Sequence, residues 1–369
     1  MIWDRAAVIA AALILLAFAV GAAFCIVAIV VDPASFFRAW LAAYLFWLGL
    51  PLCGVALVLV HDLTGGEWME AARPALDAAI MTMPLATLAG IPVMIGLDSL
   101  YSWTHRPPDL ANLWYLNPPA FYLRYACYVV LWNLLAAFAL LGPRREGEPI
   151  TPALSWLSGI ALIMLAFSAS FAAIDWILSL QPKFWSSIFP MTAGAGWFNS
   201  GMAIVVLTVA IAAPSGEGSR RRLADLARIL LATTMFWAYV EFMQFLIIWE
   251  EDLKSEIDWY LQRYDSGWDS ALFVAVALGF FAPFLILLWG PGKRSRAVVA
   301  VASLCVLFGH VAAKFWLVLP LFDAGPSFWP AAAAIAALGS LMMLLFFGAF
   351  RIGPVRAHGG VGAWKAGHG

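Results

Sequence analysis

Apolar residues in this chain neither alternate with polar ones nor mark a single stripe of a helix. They come in runs of twenty or more, broken by short stretches rich in Gly, Pro and charge. A helix crossing about 30 Å of hydrocarbon takes about 20 residues. Ten runs are long enough: 7–31, 39–60, 75–97, 121–141, 153–179, 188–213, 223–249, 270–290, 297–319 and 329–350. A membrane barrel would instead show segments of about ten residues alternating in polarity, and none is present. The pattern predicts an all-α polytopic membrane protein of about ten transmembrane helices. A single transmembrane domain spans 1–350, and a flexible tail, rich in Gly with two histidines, runs from 351 to 369. The first run is too long for a secretory signal, and no small-residue cleavage site precedes a polar mature region, so it is expected to stay.

Composition agrees with this: 64% of the 369 residues are hydrophobic and 12% charged. The net charge of -1 is uninformative about partners, and no nucleic-acid partner is expected. The placement of Lys and Arg between alternate loops orients the chain. With ten spans both ends lie on one side. That side collects thirteen cations, Arg5, Arg73, Arg144, Arg145, Arg220, Arg221, Arg222, Lys293, Arg294, Arg296, Arg351, Arg356 and Lys365. The other side has six, Arg38, Arg106, Arg124, Lys183, Lys254 and Arg263. Both termini are therefore expected in the cytoplasm of a bacterium, with the chain in its inner membrane.

Four cysteines, Cys25, Cys53, Cys127 and Cys305, all fall inside apolar runs without the spacing of a metal knuckle or redox pair. A haem-attachment run and clustered cluster-ligating cysteines are both missing, and a single histidine lies deep in a span. The chain is expected to bind no redox metal and no covalent cofactor.

Ionisable groups inside the runs are the informative exceptions. An Asp, Lys or Arg at the centre of a spanning helix costs roughly 2.5 to 3.5 kcal/mol even on lenient scales, so such groups face an interior and mark working pathways. Asp175, Glu241, His310 and Lys314 are of this kind. Asp175 lies near the outer end of helix 5, just before Leu180-Gln181-Pro182, where the helix should stop. Glu241 is similarly placed in helix 7, with Gln244 nearly one turn on, and Asp98 closes the outer end of helix 3. A quinol site needs a proton acceptor, an apolar slot and an opening to lipid. Asp, Glu and His with surrounding Trp and Phe would supply these, and Gln244 would hydrogen-bond a carbonyl. The plain alternative is an internal hydrogen-bond network. On the cytoplasmic side His61-Asp62-Leu63-Thr64-Gly65-Gly66-Glu67-Trp68 ends helix 2. It reads either as the mouth of a proton path or as a capped turn, with a glycine at positive φ and Trp68 anchored at the interface. Pro84 and Pro92 should interrupt helix 3 between this turn and Asp98. The outer loop 250–269 is acidic and reads as a docking patch for a basic carrier or as a solvated loop.

Three short matches recur at a nearly constant offset. Trp114-Tyr115-Leu116-Asn117 returns as Trp259-Tyr260-Leu261-Gln262. Gly142-Pro143-Arg144-Arg145 returns as Gly290-Pro291 with Lys293 and Arg294, and Ala172-Ala173-x-x-Trp176 as Ala312-Ala313-x-x-Trp316. They suggest two four-helix bundles of the same orientation, helices 2–5 over 39–180 and helices 6–9 over 188–319, with helices 1 and 10 peripheral. In that alignment Asp175 and Lys314 nearly correspond, and a pairing between them across the pseudo-axis is expected.

Several stretches together carry a family resemblance: His61-Asp62-Leu63-Thr64-Gly65-Gly66, Ala173 to Pro182 around Asp175, Phe236-Trp237-Ala238-Tyr239 with Gln244 and Trp249, Tyr260 with Arg263, and Phe315 to Pro320. Over roughly 40–320 the chain resembles the NrfD-like integral membrane subunits of bacterial alternative complex III, in particular the second, labelled quinone-binding subunit 2 of a quinol:cytochrome c oxidoreductase. The resemblance implies ten helices in two bundles, no haem or cluster in this chain, and partners that include a paralogous NrfD-like subunit, a multihaem cytochrome and an iron-sulfur subunit. It implies a respiratory, quinol-oxidising assembly in which this chain is not catalytic alone but forms a wall facing quinone or a route for proton translocation. Roles carry over only to His61, Asp175, Glu241 and Gln244; His310, Lys314, Asp62 and Asp98 join them on position. The sequence departs from the family at Ala313-Lys314, where an acidic residue is usual, and at Glu250-Glu251. A secondary transporter with a parallel repeat, or a purely structural scaffold, are the competing classes.

Overall fold

The computed structural model describes residues 2–66, 68–105, 107, 112–142, 150–212, 216–264, 266–322 and 328–352. Glu67, Arg106, the stretch from 143 to 149 with Arg144 and Arg145, Asp265, and the tail from 353 onward with Arg356 and Lys365 lie outside these residues. Among the described residues ten helices are long and apolar enough to cross a membrane, as the ten runs predict. The chain is an all-α, multi-pass membrane protein.

The first span is α1 (Ile2–Val31). The second joins α2 (Pro33–Trp47) to α3 (Gly49–Thr64), and α2 starts at Pro33 under the side chain of Asp32, which accepts from the Ser35 amide. The third is broken into α4 (Trp68–Met81), α5 (Met83–Leu88), α6 (Ile91–Ile95) and α7 (Leu97–Leu100). Pro84 and Pro92 each stand in the first turn of a new segment, where a missing N–H is harmless. The fourth and fifth are α8 (Pro118–Leu141), capped by Asn117, and α9 (Pro152–Trp176), capped by Thr151. The sixth and seventh are α10 (Phe189–Ala212) and α11 (Glu217–Glu251). A short surface helix, α12 (Lys254–Tyr264), follows. The eighth span comprises α13 (Asp269–Val276), a wide π turn over Ala277–Phe281, and α14 (Ala282–Leu288). The ninth and tenth are α15 (Arg296–Val318) and α16 (Trp329–Ile352).

Spans two to five touch one another chiefly through α3, α4, α8 and α9, and spans six to nine through α10, α11, α13 and α15; these two sets of four, called quartets below, also meet broadly, α3 and α9 on α10 and α2 on α15. In hydrocarbon, apolar side chains gain little by leaving lipid, so helices associate where small residues let backbones approach. That condition is met between the quartets. A Cβ on Gly201 would sit 2.4 Å from the Cys53 Cβ and 2.5 Å from the Gly49 carbonyl oxygen, and one on Gly49 would sit 2.7 Å from the Trp197 carbonyl oxygen. Gly49 and Trp197, like Cys53 and Gly201, are 148 residues apart, the offset that separates Gly142 from Gly290. The seam between the quartets therefore brings together positions a constant 148 residues apart.

The first and tenth spans stand outside the quartets. α1 rests on α16, where Gly21 approaches the Ala337 backbone so closely that a Cβ would lie 2.8 Å from its nitrogen. α16 in turn lies along α2 and α4 and buries Ala334, Leu338, Met342 and Phe346.

Candidate functional site

Both quartets enclose charged side chains. In the first, Asp175 sits in the last turn of α9 and is 1% exposed. Arg124, one and a half turns into α8, places Nε 3.0 and 2.9 Å from the two oxygens of that carboxylate, and the Tyr128 hydroxyl donates to Oδ2 at 2.6 Å. Arg124 also donates to the Tyr115 carbonyl and lies over the Tyr115 ring, 3.9 Å from its centre. Tyr115, in the loop before α8, has its phenol pushed well above the ordinary range by burial and by the Asp175 charge. Around this pair the buried Trp132 and Trp176 pack on Tyr128, and Tyr101 donates to the Trp176 carbonyl. The expected pairing of Asp175 with Lys314 is thus corrected: the carboxylate is taken within its own quartet, by a cation that the charge pattern along the chain counts with the outer side.

In the second quartet all four spans contribute. On α11, Trp237 donates from Nε1 to Glu241 at 3.2 Å. On α15, His310 lies fully buried with its ring 4.5 Å from that of Trp237, and Lys314 follows one turn later, 5% exposed and within electrostatic reach of Glu241. On α10, Asn199 meets His310 Nε2 at 3.0 Å, while its Oδ1 accepts from the hydroxyls of Thr233 and Thr234. Gly196, one turn away, leaves the space beside Lys314: a Cβ there would sit 3.4 Å from Nζ and 3.6 Å from Trp237 Nε1. The π turn of the eighth span closes the fourth side. A Cβ on Gly279 would meet the Trp237 ring at 3.0 Å, and one on Gly309 would fall 2.2 Å from the Gly279 nitrogen. Single wide turns of this kind concentrate at functional sites because they turn a helix face without ending the helix. Among the described residues His310 Nδ1 is buried without a hydrogen-bond partner, as is the Gln244 side-chain oxygen one turn beyond Glu241. Groups left so are expensive in hydrocarbon and point to a ligand or water.

Above this site α12 is pinned by a buried cation. Arg263 is fully buried and gives Nη1 to Gln181 Oε1 at 2.7 Å and to the Trp259 carbonyl at 2.6 Å. Its Nε and Nη2 share the Leu317 carbonyl, and its guanidinium carbon lies 3.5 Å from the centre of the Trp259 ring. Burial drives this guanidinium well below its ordinary range, so neutral acceptors and the aromatic face carry it. Tyr260, beside Gln244 and stacked toward Trp316, has its phenol raised by burial and by the Glu241 charge. The two repeated Trp-Tyr loops thus send Tyr115 and Tyr260 to the charged groups of their own quartets.

The remaining candidates are scattered. Asp62 is 2% exposed and accepts from the Ser158 hydroxyl at 2.6 Å, whereas His61 is half-buried, its Nε2 3.1 Å from the Gly66 carbonyl oxygen. Gly65 and Gly66 both take positive φ, 67° and 109°, as a capped turn requires. Asp98 is exposed in the short α7 and lines neither interior. The structure therefore brings together Glu241, Gln244, His310 and Lys314, sets Asp175 in a separate pair, and leaves His61, Asp62 and Asp98 apart.

Sequence reasoning gave Trp237 no role at the site and missed Arg124, Asn199 and a further buried acid, Asp77, whose carboxylate takes Arg73 Nε at 2.7 Å. The Arg73–Asp77 spacing of four residues on one helix was the available signal. Among the described residues no three His, Cys, Asp or Glu side chains gather as a metal ion would need. Compared with protein-family models and with curated proteins, the chain matches none.

Proposed function

We propose that this protein is an integral membrane subunit of a respiratory quinol:cytochrome c oxidoreductase of the alternative complex III type, set in a bacterial inner membrane with both termini cytoplasmic. The electron carriers belong to partner chains: a multihaem cytochrome, an iron-sulfur protein and a paralogous NrfD-like subunit. This chain supplies a polar interior in which protons are held or passed, and a wall facing quinone.

One observation carries the reading. Glu241, Trp237, His310, Lys314 and Asn199 converge inside a membrane-spanning quartet, with unpartnered polar atoms on His310 and Gln244 beside them. A bundle held for structure alone gains nothing by burying four ionisable or amide side chains where aliphatic ones would pack. The residues that carry the resemblance support the same reading, since Trp237, Glu241, Gln244, Tyr260, Arg263 and Trp316 all border this site.

The test is to tag the chain in its own cell, extract it in mild detergent and identify what comes with it. Haem-containing and iron-sulfur chains, with quinol:cytochrome c reductase activity, are expected; Glu241→Gln should lower turnover at least tenfold and leave assembly intact. A lone, colourless chain that moves a solute across vesicles would overturn the assignment.

A further inference from the structure

The end of the molecule at which α1 begins and α16 ends carries a basic patch that neither quartet site uses. Arg220 and Arg221 stand in the first turns of α11, and Lys293, Arg294 and Arg296 lie on the turn that leads into α15. Two of these five cations share a carboxylate, Glu217 Oε1 lying 3.4 Å from Arg221 Nε and 3.6 Å from Arg294 Nη1, while the neighbouring Glu70 and Asp225 are taken by Arg222 and Arg228. Arg221 and Arg294 remain more than half exposed, at 72% and 58% of their side-chain surface. Arg296 caps the end of α10 through the carbonyls of Ala210 and Ile211, which leaves its charge uncompensated. Arg220 and Lys293 have no carboxylate within 4.0 Å among the described residues.

Directly below the patch, along the hydrocarbon, an apolar lane runs on the eighth span. Phe281, Leu285, Leu288 and Trp289 recur at helical spacing on its outward face and are 54%, 63%, 58% and 62% exposed. Trp289 stands at the join of lane and patch, the level at which an indole rests at a membrane interface. Five cations with one carboxylate, Glu217, within 4.0 Å among the described residues stand at the mouth of an exposed apolar lane, the charge and shape of the two parts of one molecule.

We propose that this face binds a phospholipid with an anionic headgroup, its phosphate held by Lys293 and Arg294 with Arg220 and Arg221 alongside, and one acyl chain lying along Phe281, Leu285 and Leu288. Basic clusters between helix ends recognise such lipids, with each cation close to the surface contributing a factor of about five in affinity. The site stands whether or not the chain works on quinols.

The test uses the full chain, purified in mild detergent, stripped of lipid and titrated with phosphatidylglycerol or phosphatidylcholine of matched acyl chains under native mass spectrometry. Phosphatidylglycerol should bind at least tenfold more tightly. The double variant Lys293→Gln/Arg294→Gln should weaken it roughly 25-fold, while the charge-keeping swap Lys293→Arg/Arg294→Lys and the opposite-face change Lys254→Gln should leave it within twofold. The swap separates lost binding from lost folding. Leu285→Ser should weaken both lipids. Equal binding of the two lipids, full retention by the neutral double variant, or competition by glycerol 3-phosphate as effective as the whole lipid would each overturn the proposal.

Discussion

Removing the Asp175 carboxylate should destabilise the first quartet more than any other single truncation in it. In Asp175→Ala, Arg124 loses both Nε contacts, at 2.9 and 3.0 Å, and keeps only the Tyr115 carbonyl and ring as partners. With its side chain 19% exposed, the cation has little water to turn to. Breaking a buried pair from one side costs about 3 kcal/mol or more, and the Tyr128 hydroxyl, which then lacks its acceptor, adds about 1 kcal/mol on the scale of interhelical bonds in membranes. A loss of about 4 kcal/mol follows from these two contributions. The double variant Asp175→Ala/Arg124→Met removes the stranded charge together with its partner and should recover about half, which puts its cost at least about 2 kcal/mol below the sum of the two single changes. Unfolding in mixed micelles, followed by tryptophan fluorescence from Trp132 and Trp176, measures all four corners of the cycle. If the two single changes add within about 0.5 kcal/mol, the ion pair is not the stabilising element and the reasoning fails.

Other expectations follow from the same geometry. Gly309→Ala puts a Cβ 2.2 Å from the Gly279 nitrogen and should cost about 1 to 3 kcal/mol, with altered Trp237 fluorescence, whereas Gly194→Ala, with nothing within 4 Å, should be silent in the same assay. Gly201→Val should weaken the seam between the quartets and lower the melting temperature in detergent; an unchanged melt would show that the seam tolerates bulk. Arg263→Met should free α12, read as faster amide exchange over 254–264, and Arg263→Lys should fail to restore protection, because an ammonium cannot reach Gln181, Trp259 and Leu317 at once. In double-mutant cycles Lys314→Met should couple to Glu241→Gln by more than about 1 kcal/mol and to Asp175→Asn by less than about 0.5 kcal/mol; the opposite order would restore the pairing expected from the repeat.

The spans were legible because hydrocarbon sets a length and tolerates few charges, so 39–60 and 121–141 lie within helices that the structure extends by three to six residues at one or both ends, and 329–350 within one that begins at the same residue. The break of the third span at Pro84 and Pro92 was legible for a local reason, the missing proline N–H. Partners were not. Arg124 is separated from Asp175 by 51 residues, and its position six residues into α8 looked like an interfacial cation until the fold turned it inward. Lys314 was aligned with Asp175 by the repeat, yet what faces it is set by the rotation of α11, which no pattern along the chain encodes. Asn199 gave no signal, since an amide in an apolar run is unremarked until the fold places a histidine opposite. The π turn at Ala277–Phe281 was equally silent: Ala-Leu-Gly-Phe-Phe is compatible with an ordinary helix, and the close approach of Gly309 shows where the widened turn meets its neighbour.

That widened turn holds about one residue more than its neighbours, so the parts of the eighth span on either side of it are phased about 100° apart. Deleting one residue there would swing every side chain from Ala282 to Leu288 onto a new bearing while α13 stayed in place. Half a spanning helix can in this way be re-aimed by a single codon, without exchange of any amino acid it displays.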